Sequence, residues 1–233
     1  MKNLALAFCS IRPKQLREDV CDARENEYFA CLQQLQRVLP ESFDMVVCEN
    51  TIDDESQIKN NDLKKFLSET EMVAVGSEAN IGSTNKGLGE LLMLKSALDN
   101  IDIDSYTNIS YVTARRLFTC PYVFERTESL DKQALLSNPD VVFLDGTLAL
   151  TNKDRLYNDM FFSMKTSVMV DYANYSMNVM NDLSSNHVGS EQNLFNFVNE
   201  NNIEYEWLDW LGLIRNDWER NGDILNVNNF HIC

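Results

Sequence analysis

Between Ala79 and Ala97 the chain reads Ala-Asn-Ile-Gly-Ser-Thr-Asn-Lys-Gly-Leu-Gly-Glu, then Leu-Leu-Met-Leu-Lys-Ser-Ala. Asn80, Ser83, Thr84 and Asn85 offer neutral hydrogen-bonding groups, Lys86 a cation and Glu90 a carboxylate. Glycines at 82, 87 and 89 let the backbone approach a ligand closely or take positive φ. Leu88, Leu91, Leu92 and Lys95 then recur at the spacing of one helix face. A helix amino terminus with spare N–H groups and a lysine beside it suits an anion such as a diphosphate. A plain cap at Ser83 or Asn85, with the glycines serving a turn, accounts for the same residues. Neither the Walker pattern nor Gly-x-Gly-x-x-Gly is present.

Other polar groups stand where short apolar runs end. Ser10 and Arg12 follow Leu4–Cys9, Glu49 and Asn50 follow Phe43–Cys48, and Arg115 and Arg116 follow Ile109–Val112. Asp145 closes Val141–Leu144, while His187 and Glu191 flank Gly189-Ser190 before the apolar pattern of Asn193–Val198. The runs read as strands, joined by a third at Glu71–Val75 and a further one at Met160–Met164. Helical spacing marks Glu25–Leu39, Asp62–Leu67, the segment after Lys86, Leu130–Leu136, Val168–Met180 and Asn193–Val198. Strands and helices alternating at this spacing predict an α/β fold with right-handed crossovers and a mixed, mainly parallel sheet flanked by helices. Ligands of such sheets bind outside the carboxyl ends of the strands, where Ser10, Arg12, Glu49, Asn50, Asn80, Lys86 and Arg115 all fall. Because Arg115 and Arg116 are adjacent, an extended segment would turn them to opposite faces, and Arg115 is preferred as the one facing a ligand.

Composition narrows the classes. Twenty lysines and arginines against 36 acids give 233 residues a net charge of −16, which opposes binding to nucleic acid or an anionic membrane. Any anionic ligand must be held by a few placed cations and backbone amides. Apolar residues make up 44% of the chain, enough for a sizeable core. None of the six cysteines forms a Cys-x-x-Cys pair, and Cys9 and Cys48 lie inside apolar runs, which predicts free thiols in a reducing, cytoplasmic setting. No run reaches the roughly 20 apolar residues that a transmembrane helix needs.

The order of these parts resembles the GT-A-type glycosyltransferases, with a Rossmann-type sheet. A first strand reaches Ser10 and Arg12, a second reaches Glu49-Asn50-Thr51, Asn-x-Gly-x-x-Asn-Lys-Gly opens the organising helix, and a late Gly-Ser-Glu opens another. Asn-Lys-Gly-x-Gly-Glu and Thr-x-Arg-Arg are similar in particular to small glycosyltransferases of bacterial surface polysaccharides and of large algal viruses. The resemblance covers roughly residues 3 to 200. It implies a single domain, with residues 1–150 binding the nucleotide sugar and 151–233 forming the acceptor side. It implies transfer of a hexose or pentose from a nucleoside diphosphate sugar to a glycan or glycoprotein hydroxyl, with inversion of configuration.

In that frame Ser10, Arg12, Glu49, Asn50, Asn80, Lys86, Glu90 and Arg115 bind the donor. Asp145 and His187 meet the acceptor, and Glu191 is the catalytic base. Ordinary roles compete for several of them: Asp145-Gly146 is a common turn, Glu191 would favour a helix dipole, and loop histidines usually carry no ligand. Many GT-A enzymes hold Mn²⁺ or Mg²⁺ with Asp-x-Asp after the third crossover. Here that place reads Thr113-Ala114-Arg115-Arg116, and the only formal Asp-x-Asp nearby, Asp102 and Asp104, precedes the strand. No metal ligand is assigned, a divalent cation stays open, and a clamp of Lys86, Arg115 or Arg116 would neutralise the diphosphate without one. A non-catalytic nucleotide- or partner-binding module is the alternative reading.

Overall fold

The run Leu4–Cys9 has no polar face to leave in water, so it must be covered on both sides. It forms most of β1 (Lys2–Cys9), whose residues from Asn3 onward are all buried. The structure, a computed structural model, describes residues 2–74, 86–137, 158–179, 189–216 and 230–232. After β1 come α1 (Glu18–Val38), β2 (Phe43–Glu49), α2 (Asn61–Ser68), β3 (Met72–Ala74) and α3 (Lys86–Asn100). There follow β4 (Tyr106–Thr113), β5 (Leu117–Phe118), α4 (Tyr122–Glu128), β6 (Ala134–Ser137), β7 (Asn158–Lys165) and α5 (Thr166–Asn178). The chain then forms α6 (Ser190–Glu200), β8 (Tyr205–Leu208), β9 (Leu213–Asn216) and β10 (Phe230–Ile232).

A seven-stranded sheet runs β3-β2-β1-β4-β7-β6-β8. β1 pairs in parallel with β2 and with β4, β2 with β3, and β6 with β8. β7 alone runs against its neighbours β4 and β6. The mixed, mainly parallel α/β architecture predicted from the alternating pattern is therefore the architecture of the chain. Strand side chains alternate between two cores. Ala5, Ala7, Cys9 and Val47 pack with Tyr28 and Leu32 of α1 and Leu63 of α2 on one face. Leu4, Leu6, Phe8, Val46 and Cys48 pack with Leu91 and Leu94 of α3, Tyr172 of α5 and Phe197 of α6 on the other. A second sheet, β10-β9-β5, lies beyond the end of β4.

Three local differences from the sequence reading have physical causes. The helix expected over Leu130–Leu136 is instead a turn leading into β6, because Ala134, Leu135 and Leu136 are wholly buried. A short apolar run covered on both faces carries no period to tell strand from helix. Helix α1 begins at Glu18 rather than Glu25, since its first turn is acidic and gives no apolar signal, although acids there favour the helix dipole. Helix α4 has no counterpart in the sequence reading. Its Val123 and Phe124 are buried, and Phe124 packs on Phe43, Phe118 and Phe161 with ring centroids 5.4, 5.5 and 5.6 Å apart. The strand expected over Val141–Leu144 lies outside the described residues. Cys9, Cys21, Cys31, Cys48 and Cys120 are free thiols. Among the described residues no helix is long and apolar enough to cross a membrane.

Candidate active site

Register brings the carboxyl ends of three strands level: Cys9 lies opposite Glu49, and Phe8 opposite Thr113. The chain therefore leaves the sheet at Ser10, Asn50 and Ala114 side by side. A cavity of about 220 Å³ opens here, lined by Ser10 and Asn50 at the strand ends, Arg24 and Tyr28 from α1, Glu90 and Met93 from α3, and Arg115 and Arg116 after β4. Phe8 and Tyr111 form part of its apolar floor, stacked with centroids 4.2 Å apart.

The turn after β1 is held from three directions. Ser10 N–H donates to the Tyr28 hydroxyl at 2.9 Å, and Arg24 Nε and Nη2 both donate to Ser10 O, at 3.2 and 2.5 Å. Ser10 Oγ donates to Asn50 Oδ1 at 2.9 Å, which fixes the amide so that its NH₂ is the end left to donate. Arg24 also stands over the Tyr28 ring, 5.6 Å from its centroid. Burial pushes the Tyr28 hydroxyl up, partly opposed by Arg24, so it stays a neutral phenol that accepts from Ser10.

Glu49 is wholly buried behind this wall and does not line the cavity. Its carboxylate accepts the Ile11 N–H (3.1 Å to Oε2), the Thr51 N–H (2.6 Å to Oε1) and the Thr51 hydroxyl. Thr51 Oγ1 in turn accepts the Arg12 N–H at 2.8 Å. Burial pushes the Glu49 carboxyl up, and hydrogen bonds from Thr51 and Ile11 oppose the shift without cancelling it. The geometry makes Glu49 a brace that sets the spacing of the first two strand ends.

Arg12 also faces away from the cavity. Its guanidinium pairs with Glu18, Asp22 (3.0 Å) and Glu25 of α1. Burial opposes the charge, yet the hydrogen bonds to Glu25 and Asp22 outweigh it and raise the pKa further. Glu25 adds bonds from the N–H groups of Lys59 and Asn60, at 2.9 and 2.6 Å, and so ties three segments together.

Arg115 and Arg116 both line the cavity, where an extended segment would have divided them. The backbone turns after β4, with Arg116 N–H donating to Thr113 O at 3.1 Å, so strand alternation no longer applies. Arg115 Nε lies 3.5 Å from Glu27 Oε2 of α1, and both side chains are buried.

The two glycine-bearing motifs meet at the start of α3. A Cβ on Gly87 would lie 2.7 Å from Ser190 N and 3.2 Å from Gly189 C, so only glycine allows the first turns of α3 and α6 to come this close. Across the same contact Ser190 Oγ donates to Glu90 Oε2 at 3.0 Å. The Glu191 carboxylate folds back toward Gly189, its Oε2 2.8 Å from where a Cβ there would stand, and Glu191 does not line the cavity. Gly87→Ala is therefore expected to destabilise the protein by about 1–2 kcal/mol. Overpacking of about 1–3 kcal/mol outweighs the up to ~1 kcal/mol that alanine normally gains in a helix. Urea unfolding checks this, and an unchanged or higher midpoint would show that the helix ends separate freely. Lys86 is the first residue of α3. Asn80, Asp145 and His187 lie outside the described residues.

Sequence reasoning missed Arg24 and Tyr28. The signal was an arginine recurring with Cys21, Tyr28 and Cys31 on the buried face of a helix, where a charge is unusual. Divalent cations such as Mg²⁺ and Mn²⁺ take oxygen ligands, and the end of β4 presents guanidinium groups, so the residues there do not fit one. Asp102 and Asp104 flank the amino end of β4, about 25 Å from its carboxyl end at ~3.3 Å per strand residue. Among the described residues no group of three His, Cys, Asp or Glu stands close enough together to hold a metal ion.

No known family's sequence profile matches the chain, and no curated protein matches it. Solved structures do. The 4-diphosphocytidyl-2C-methyl-D-erythritol synthase of Anaerococcus prevotii superposes with a TM-score of 0.54 at 12% identity, over 89% of this chain and 86% of that one. A Desulfovibrio desulfuricans protein assigned as a nucleotide-diphospho-sugar transferase gives 0.54 at 12% identity, over 89% and 80%. Mouse xyloside xylosyltransferase 1 gives 0.50 at 7% identity, over 89% and 86%. At these identities the likeness is one of fold alone, a GT-A-like, Rossmann-type sheet.

Proposed function

We propose that the chain is a glycosyltransferase that moves one sugar from a nucleoside diphosphate sugar to a hydroxyl of a glycan or glycoprotein. The observation that carries this reading is the convergence of Arg24, Arg115 and Arg116 on one cavity at the carboxyl ends of β1, β2 and β4. In a chain of net charge −16, three guanidinium groups on one cavity wall concentrate positive charge where a ligand can reach it. Arginine forks match phosphate oxygens two at a time, so a diphosphate is the ligand chemistry this wall favours. The cavity of about 220 Å³ is smaller than the roughly 300–1,000 Å³ of sites that enclose a whole ligand, so it encloses the diphosphate and the groups next to it while the rest of the nucleotide sugar lies outside.

The roles follow from position. The arginines hold the diphosphate and stabilise the charge that builds on it as the glycosidic bond breaks, with no metal at the end of β4. Asn50 offers its amide N–H groups to a carbonyl or hydroxyl of the nucleoside, and Lys86 at the start of α3 adds a cation. The acceptor oxygen attacks from the opposite side of the anomeric carbon, which inverts its configuration.

Structures of this fold include one named a thymidylyltransferase, so attack at phosphorus is the second reading. A thermal-shift panel of UDP, GDP, CDP and dTDP with their common sugar conjugates, in EDTA and in Mn²⁺, tests the ligand class. A nucleotide at 100 times its dissociation constant adds about 2.7 kcal/mol, which raises Tm by roughly 5–10 °C for a chain this long. A shift in EDTA with one nucleotide class supports the reading. A shift only with Mn²⁺ restores a metal, and no shift with any nucleotide favours a non-catalytic partner-binding module. Release of nucleoside diphosphate rather than pyrophosphate during turnover separates sugar transfer from nucleotidyl transfer.

A further inference from the structure

Among the described residues lining the cavity, Glu90 is the one carboxylate, set in a wall that otherwise presents Arg24, Arg115 and Arg116. A carboxylate is the wrong partner for a diphosphate, so it marks the end of the cavity where hydroxyl groups go. Glu90 is half-buried, and its Oε2 accepts the Ser190 hydroxyl at 3.0 Å from a serine that is itself buried. That bond fixes the rotamer of the carboxylate at the cavity wall. It joins the two motifs, Asn-Lys-Gly-x-Gly-Glu and Gly-Ser-Glu, that lie 100 residues apart in the sequence.

We propose that Glu90, rather than Glu191, is the general base, and that Ser190 is its positioning residue. The inference rests on the glycosyltransferase reading and names the group that completes it. The acceptor hydroxyl oxygen bonds to the anomeric carbon as its proton passes to the Glu90 carboxylate. The bond from the anomeric carbon to the diphosphate oxygen breaks, and its electron pair leaves with the nucleoside diphosphate. Charge balances: the carboxylate becomes a carboxylic acid, and the departing diphosphate gains the negative charge. Gly87 serves this arrangement by letting α6 approach closely enough for Ser190 to reach Glu90.

The test uses the intact chain and the donor chosen by the thermal-shift panel, with water as acceptor, and follows release of nucleoside diphosphate against pH. Glu90→Gln should lower kcat at least about 100-fold while nucleoside diphosphate binds as tightly as to wild type or more tightly. A general base must be ionised, so wild-type kcat/KM falls as pH drops through the pKa of Glu90. Ser190→Ala removes a donor to the charged form, so that acid limb should move up by about 1 pH unit, which a merely structural contact would not cause. Glu191→Gln should stay within several-fold of wild type. Turnover by Glu90→Gln near the wild-type rate overturns the proposal, as does loss of nucleoside diphosphate binding together with turnover. An unmoved acid limb in Ser190→Ala removes Ser190 from it. A wild-type chain that neither binds nor hydrolyses any of the donors overturns the glycosyltransferase reading itself.

Discussion

Arg24→Ala is expected to weaken nucleoside diphosphate binding by about 30-fold and to lower stability by about 2–3 kcal/mol, the scale of a charged hydrogen bond lost from a buried site. Arg24 is 6% exposed, so its loss removes a cation from the cavity and also both donors to Ser10 O. Ser10 itself then keeps its bonds to Tyr28 and Asn50. Arg24→Lys separates the two effects. A lysine keeps the charge but has no fork, so it should recover part of the affinity and little of the stability. Isothermal titration with the nucleoside diphosphate, beside urea unfolding of the same variants, reads both. Unchanged affinity in Arg24→Ala would reduce Arg24 to a brace of the turn.

Glu25→Ala is expected to cost more, about 3–5 kcal/mol, because it breaks a buried ion pair and leaves Arg12 with the more exposed Glu18 and Asp22 as its acidic partners. The Glu25 side chain is 1% exposed, and its removal also orphans the N–H groups of Lys59 and Asn60. Glu18 offers the control on the same arginine. Its side chain is 65% exposed and it also pairs with Lys59, so Glu18→Ala should cost far less than Glu25→Ala. Urea midpoints for the two variants should differ severalfold in their shift. Equal shifts would mean that the buried Glu25 holds Arg12 no better than the exposed Glu18 does.

The architecture was legible in the sequence because buried parallel strands are apolar along most of their length. Leu4–Cys9, Phe43–Cys48 and Ile109–Val112 announce themselves, and polar residues directly after them place the ligand side. The division of labour at that side was not legible. Ser10 and Arg12 stand two residues apart after the same strand, yet Ser10 lines the cavity while Arg12 turns to Glu25. Glu49 and Asn50 are neighbours, and one braces while the other faces the cavity. Such choices depend on which partner lies across the turn, here Glu25 and Thr51, and no local period encodes them. Arg24 was missed for the complementary reason: helical spacing marks a buried face but does not say that a charge on it reaches a strand end. The Glu90–Ser190 contact depends on two helix starts meeting, a long-range event that sequence spacing does not show.

The pairing of β1 with β4 reaches from Lys2 to Tyr106, and that of β6 with β8 from Ala134 to Tyr205. A chain made from its amino end therefore holds β1 without its β4 neighbour until residue 113 has been added. Loop closure over such spans precedes any reward from pairing, which slows assembly compared with folds of local contacts. The walls of the cavity come from residues 10, 24, 50, 90 and 115, so its described lining is complete only once residue 116 has been added. Until β4 docks, the apolar edge of β1 stays open to other chains, which is a hazard of aggregation during synthesis.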